Sequence, residues 1–347
     1  MTSRTCPRVL ICEDSQTYAA ALQRLIEHDG EFEVVAVSRT AEDAIASVGR
    51  LLPDLVTMDI ELPGMTGLEA VERIMGVAPV PILVLSGHVG PESRSAAAAL
   101  AAGALDALAK GSFDLLDPGG SGAVAFRRRL KLMSGTRVIR HPRGHLQRPA
   151  EGVDDAARAA RVIGVCSSIG GPHALLELLA SLPPTFALPV LIAQHMTAGF
   201  ADGLARWLDA SVPLPVQIGR AGERVERGVF LAPDDAHMAL AAGRRLEVRE
   251  AAPTDRNVPS GDVLLESLAA ALGADAVAVV LTGMGRDGAE GTAAVRAAGG
   301  FTIAQDESTS VVYGMPRAAA EGGVDRVLPL TEIGAELCRL TLKGAQR

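Results

Sequence analysis

Two sets of residues in this 347-residue chain have the types and spacing for chemistry. The first is the serine turn inside RVIGVCSSIGGPHALLELL, residues 161–179. The apolar run 162–166 reads as a buried strand and 173–179 as an amphipathic helix. A strand-turn-helix puts Ser168 at the carboxyl end of a sheet, beside a helix N-terminus. Backbone N–H groups there can receive a developing oxyanion. Taken alone, a serine turn before a helix more often serves as a cap or a phosphate cradle. As a nucleophile, Ser168 needs a base within reach and an acid to orient that base. His195 ends a second apolar run, 189–193, and is the preferred base. His237, in the predicted turn APDDAHM (232–238), is the one rival. His28, His141 and His145 fall at a helix end or in a connecting segment. His88 follows a strand of the first half, and His173 lies inside the helix after the serine. Asp287 sits among glycines in LTGMGRDG (281–288) and suits the orienting acid. Ile169 and Met284 are placed to offer backbone N–H groups to an oxyanion. The chain order is Ser, His, Asp, and no G-x-S-x-G is present.

The second set is acidic. Glu13 and Asp14 follow the first apolar run and Asp59 follows the third; Ser86 and Lys110 follow the fourth and fifth. Carboxylates converging on one point raise one another's pKa, and a divalent cation relieves that cost. Hard oxygen donors favour magnesium. A carboxylate beside magnesium can accept a phosphoryl group, which a lysine and a hydroxyl can then hold.

The elements that must position these groups follow from hydrophobic periodicity. Strands are predicted at 8–12, 32–37, 55–58, 82–85 and 104–109, with helices at 18–28, 41–51, 67–75 and 93–102 between them. Five βα units of this spacing predict a doubly wound parallel sheet. Residues 161–345 repeat the pattern, with strands at 162–166, 189–193, 228–231, 276–281 and 300–304. The expectation is α/β: two doubly wound domains, a flavodoxin-like one at 1–113 and a parallel-sheet, Rossmann-like one at 161–345. Residues 114–160 read as a linker carrying a basic helix, FRRRLKLM (126–133). That helix is read as a solvated face or a contact to acidic surface rather than a nucleic-acid patch.

Composition narrows the classes. Hydrophobic residues make up 48% and charged residues 21%, which suits a packed α/β protein. A net charge of −8 and 3% aromatic residues argue against nucleic-acid binding. No apolar run reaches membrane-spanning length, and the N-terminal MTSRTCPRVLICED does not read as a secretory leader. Four scattered cysteines form no metal spacing, so a reducing, cytoplasmic setting is expected.

Glu13-Asp14, Asp59 followed by LPGMTG (62–67), Ser86 and Lys110 together resemble a two-component receiver domain. The resemblance implies that Asp59 is the phosphoacceptor. It implies that Glu13, Asp14 and Asp59 hold magnesium with a carbonyl from Glu61, and that Ser86 and Lys110 bind the phosphoryl group. Receivers usually have proline after the lysine, where this chain has Gly111. Ala107 stands near the place of their switch aromatic. Behind it, CSSIGGP (166–172), QHM (194–196), APDDAHM (232–238), LTGMGRDG (281–288) and YGMPR (313–317) occur in order. That set is similar to the CheB-type chemotaxis response regulators, the protein-glutamate methylesterase/glutaminases. The resemblance implies a Ser168, His195, Asp287 triad acting on chemoreceptor cytoplasmic domains without a cofactor at the esterase site. It also implies a histidine kinase as phosphodonor and a receiver that covers the site until phosphorylated; composition separately predicts no nucleic acid and no membrane insertion. Family members commonly have threonine where Ile169 stands. The alternative is a regulator whose output domain binds a partner without catalysis.

Overall fold

The computed structural model describes residues 6–87, 94–136, 162–252, 254–255 and 257–343, in two units divided near residue 143. The first unit runs β1 (Arg8–Cys12), α1 (Gln16–Ile26), β2 (Glu33–Ser38), α2 (Ala41–Leu51), β3 (Leu55–Asp59), α3 (Gly67–Val77), β4 (Ile82–Ser86), α4 (Arg94–Ala101), β5 (Asp106–Ala109) and α5 (Ser121–Ser134). The five strands are parallel in the order β2-β1-β3-β4-β5. β3 and β4 are buried along their whole length, as strands covered on both faces must be. Local signals start the helices. Ser15 and Thr40 cap α1 and α2, and Thr66 with Glu69 forms a capping box on α3.

The basic helix expected in the linker packs instead within the first unit, as α5. Phe126 stacks on Phe113 with ring centroids 4.2 Å apart. Arg127, buried, pairs with Asp29 at 2.8 Å and donates to the Leu25 and Pro118 carbonyls. Arg129 pairs with Asp106 at 2.8 Å. Its arginines therefore neutralise acids of their own unit, and an apolar stripe of Ala123, Phe126, Leu130 and Met133 faces the interior. The rest of the expected linker, 137–160, lies outside the described residues, as do His88, His141 and His145.

The second unit contains β6 (Val162–Ser167), α6 (Gly171–Ala180), β7 (Val190–Gln194), α7 (Ala201–Ser211), β8 (Val216–Ile218), β9 (Val229–Leu231), β10 (Ala236–Ala241), β11 (Arg245–Glu250), α8 (Gly261–Leu272), β12 (Ala276–Val280), α9 (Ala289–Ala297), β13 (Phe301–Gln305), α10 (Met315–Gly322), β14 (Arg326–Leu328) and α11 (Leu330–Lys343). Seven of these strands form a parallel sheet, β14-β13-β12-β6-β7-β9-β8. β10 and β11 form a separate antiparallel hairpin. His237 thus lies in a strand rather than in the turn expected from its sequence. In both sheets the first strand sits inside the order and the chain reverses direction beside it. Such switch points, β1/β3 and β6/β12 here, open a crevice beyond the carboxyl ends of the strands.

Candidate active site and candidate phosphoacceptor site

At the second switch point, Ser168 follows β6, His195 follows β7, and the Asp287 loop follows β12. Register brings their bases level, with Ser167 opposite Gln194 and Cys166 opposite Val280. The His195 amide donates to the Ser167 carbonyl, and the Ser168 amide donates to the Thr282 carbonyl. Gln194, buried, locks the two strand ends together. Its Nε2 donates to the Ser168 and His195 carbonyls at 2.9 and 2.8 Å, and its Oε1 accepts from Ser167 Oγ at 2.6 Å. Gly171 makes room for this clamp, because a Cβ there would stand 2.0 Å from Gln194 Oε1. Gly170 takes the left-handed turn into α6 at φ +75°.

His195 Nε2 lies 2.6 Å from Asp287 Oδ2. Asp287 is buried and held from several sides. Ser260 Oγ donates to Oδ1 at 2.9 Å, the Gly261 amide to Oδ2 at 2.6 Å, and the Asp262 amide to Oδ1 at 3.1 Å. Burial opposes its ionisation. The His195 hydrogen bond and charge, with the two amides of the α8 N-terminus, outweigh that and hold its carboxyl well below the usual range. Burial pushes the neighbouring Asp262 carboxyl up, and the Asp287 charge adds to this against the Gly291 amide. An ionised Asp287 can fix the imidazole ring and stabilise its protonated form. The Ser168 hydroxyl and His195 stand at neighbouring strand ends without a hydrogen bond between them. Catalytic hydrogen bonds commonly tighten only with substrate bound.

Ile169 follows the serine and Met284 follows Gly283, which lies against Ser168; among the described residues neither the Ile169 nor the Met284 backbone N–H has an acceptor. The Ile169 side chain is buried, and its carbonyl accepts from Thr282 Oγ1 at 2.9 Å. His237 is not available as a base: Nε2 engages Asp255 Oδ2 at 2.9 Å and Nδ1 accepts the Ser260 amide at 3.0 Å. Gln194, Ser260 and Thr282 were not among the sequence candidates. Gln194 carried a signal, a buried polar residue directly before His195, whereas Ser260 carried only that of an ordinary helix cap.

In the first unit, Glu13, Asp14 and Asp59 each offer an oxygen within 4.8 Å of the others. Lys110 Nζ lies 2.7 Å from both Glu13 Oε2 and Asp59 Oδ2, and 4.5 Å from the Tyr18 ring centroid. Burial opposes the lysine's charge, and the two carboxylates overcome this and raise its pKa. Burial pushes the Glu13 carboxyl up, and Asp59 adds to it against Lys110. Three hard oxygen donors close together, two of them sharing one ammonium and one strained toward protonation, fit a divalent cation such as magnesium. Ser86 is buried at the end of β4, beside Ala109 in register. Gly111 lies in a short 3₁₀ turn, Lys110–Ser112, that follows β5, and Ser112 Oγ donates to the Ala109 carbonyl at 2.7 Å.

Residues 163–337 match the CheB methylesterase family, and residues 9–115 match the response regulator receiver domain. A protein-glutamate methylesterase/protein-glutamine glutaminase of Anaeromyxobacter dehalogenans is 43% identical over 96% of this chain and 97% of its own. The chain belongs to the CheB methylesterase family. A Myxococcus xanthus relative of the same name is 40% identical over 89% of each chain. Among solved structures, the catalytic domain of Thermotoga maritima CheB methylesterase is 36% identical, covers 52% of this chain and 99% of its own, and has a TM-score of 0.51. As a CheB methylesterase, the chain is a hydrolase that carries its own receiver.

Proposed function

We propose that this chain is a phosphorylation-activated esterase that removes methyl groups from glutamate side chains of chemoreceptor cytoplasmic domains and deamidates glutamines of the same receptors. The observation that carries this reading is the buried His195–Asp287 pair, 2.6 Å apart, level with Ser168 at one sheet switch point. Ser168 Oγ attacks the side-chain carbonyl carbon and its proton passes to His195, on the ring nitrogen not bound to Asp287. The Ile169 and Met284 amides receive the oxyanion. Collapse breaks the ester C–O bond, or the amide C–N bond, and His195 gives its proton to the leaving oxygen or nitrogen, which departs as methanol or ammonia. Water, deprotonated by His195, then attacks the glutamyl ester of Ser168; the Oγ–acyl bond breaks, His195 returns the proton to Ser168 Oγ, and the glutamate carboxylate is released.

Asp59 accepts a phosphoryl group from a chemotaxis histidine kinase, and Ser86 and Lys110 hold its oxygens. Magnesium, held by Glu13, Asp14, Asp59 and the Glu61 carbonyl, would neutralise charge as the phosphoryl group transfers. Phosphorylation of Asp59 raises the esterase rate. A tenfold activation requires only about 1.4 kcal/mol of differential stability. Among the described residues no helix is long and apolar enough to cross a membrane. Acting on chemoreceptor cytoplasmic domains, the enzyme works in the cytoplasm. Methanol release from methylated receptor membranes, with and without a small phosphodonor and magnesium, tests the reading. Release that rises with the phosphodonor supports it, and no release from good receptor substrates favours the partner-binding alternative.

A further inference from the structure

The second unit holds another histidine-carboxylate pair that the triad does not use. His237, on β10, is buried with both ring nitrogens engaged. Nε2 meets Asp255 Oδ2 at 2.9 Å and Nδ1 meets the Ser260 amide at 3.0 Å. An amide hydrogen points at Nδ1, so that nitrogen carries no proton, and the ring is the Nε2–H tautomer donating to Asp255. Asp255 is one-third exposed, so the pair runs from the surface inward.

The inner end of this chain is the N-terminus of α8. Ser260 is its N-cap, and Ser260 Oγ accepts the Val263 amide at 3.3 Å. The first N–H groups of a helix have no intrahelical partner. Here Gly261 and Asp262 direct theirs at Asp287, and Ser260 Oγ adds its hydroxyl. Three of the hydrogen bonds that hold Asp287 therefore depend on where this first turn sits. His237 holds the turn by the Ser260 N–H, a buried donor that would otherwise lose its partner. The connection is Asp255, His237, the Ser260 backbone, Asp287 and His195.

We propose that His237 is a positioning residue for the triad: its Nδ1 lone pair anchors the α8 N-terminus, which aims the Asp287 carboxylate at His195. This rests on the Ser168, His195, Asp287 reading and extends it by a layer. Asp255 acts one step further out, by fixing the His237 tautomer. Without it the ring is free to carry its proton on Nδ1, where it would oppose the Ser260 N–H. The lever is long in sequence, since Ser260 precedes Asp287 by 27 residues and His237 precedes Ser260 by 23.

Two substitutions of similar volume separate anchoring from packing. In His237→Asn, Oδ1 stands where Nδ1 stands and accepts the Ser260 amide. In His237→Gln, the polar end reaches the Nε2 position and leaves that amide without an acceptor. Full-length protein is assayed by methanol release from methylated receptor membranes. The expected result is kcat for His237→Asn within about fivefold of the parent, and for His237→Gln about 10²-fold lower, with KM unchanged in both. Asp255→Ala, at the surface, lowers kcat several-fold. Equal kcat for the Asn and Gln variants, or a fall in His237→Gln carried by KM alone, overturns the proposal. Ser168→Ala and Asp287→Asn run beside them. Retained methanol release in those two would overturn the triad itself, a result distinct from any difference between Asn and Gln at 237.

Discussion

The proposed nucleophile Ser168 is held in place by its neighbours. Its amide is tied to Thr282, its carbonyl to Gln194, and its hydroxyl is left for substrate and base. Ser168→Ala is expected to lower methanol release more than about 10³-fold while phosphorylation of Asp59 proceeds unchanged, as measured with labelled phosphodonor. Asp287, the orienting acid of the proposed triad, also contributes to acid stability. Its folded pKa is depressed, so it contributes stability that is fully present above the unfolded carboxylate value, about 3.9, and is lost as pH falls through the folded value. Urea midpoints of the parent protein should therefore drop more steeply below about pH 4 than those of Asp287→Asn. Parallel curves for the two would contradict the depressed pKa.

At the scale of elements, the decisive features are two helices. α8 brings its N-terminus to Asp287, and partial positive charge there favours the ionised acid. α5 covers the first unit with a stripe of apolar residues and a buried arginine. Removing one partner of a buried, charged hydrogen-bonded group costs about 1–3 kcal/mol. Arg127→Ala, which leaves Asp29 and two carbonyls without their donor, should lower the first unit's melting transition in calorimetry of the full chain. Basal methanol release at 25 °C should stay at the parent level, since α5 belongs to the other unit. An unchanged transition would mean that Arg127 contributes no more than a surface charge.

At the scale of the whole molecule, two α/β units carry one site each, and both sites lie where strand order reverses. The first set of groups can carry a phosphoryl switch and the second an acyl transfer. Asp59→Asn is expected to keep basal methanol release and to lose its stimulation by phosphodonor and magnesium. Stimulation that survives in this variant would exclude Asp59 as the switch.

Much of this was legible in the sequence because strands buried on both faces are short apolar runs, and the polar residue after each run marks a sheet edge. Ser168, His195, Asp59, Ser86 and Lys110 all stand at such ends. The receiver-like acids were legible for the same reason, through their positions after the first and third runs. Other features depend on pairings that no local pattern encodes. The basic run of α5 reads equally as a solvated face until Asp29 and Asp106 are found beside it. The APDDAHM segment has turn residues, yet pairing with β11 makes its end a strand. Ser260 signals only a helix cap, and only folding brings that cap against Asp287 and His237. Residue types, their order and the strand ends that carry them could be read from the chain before any folding was considered. That His195 rather than His237 meets Asp287 follows from the tertiary structure, because β12 returns to lie beside β6 and α8 begins at their shared edge.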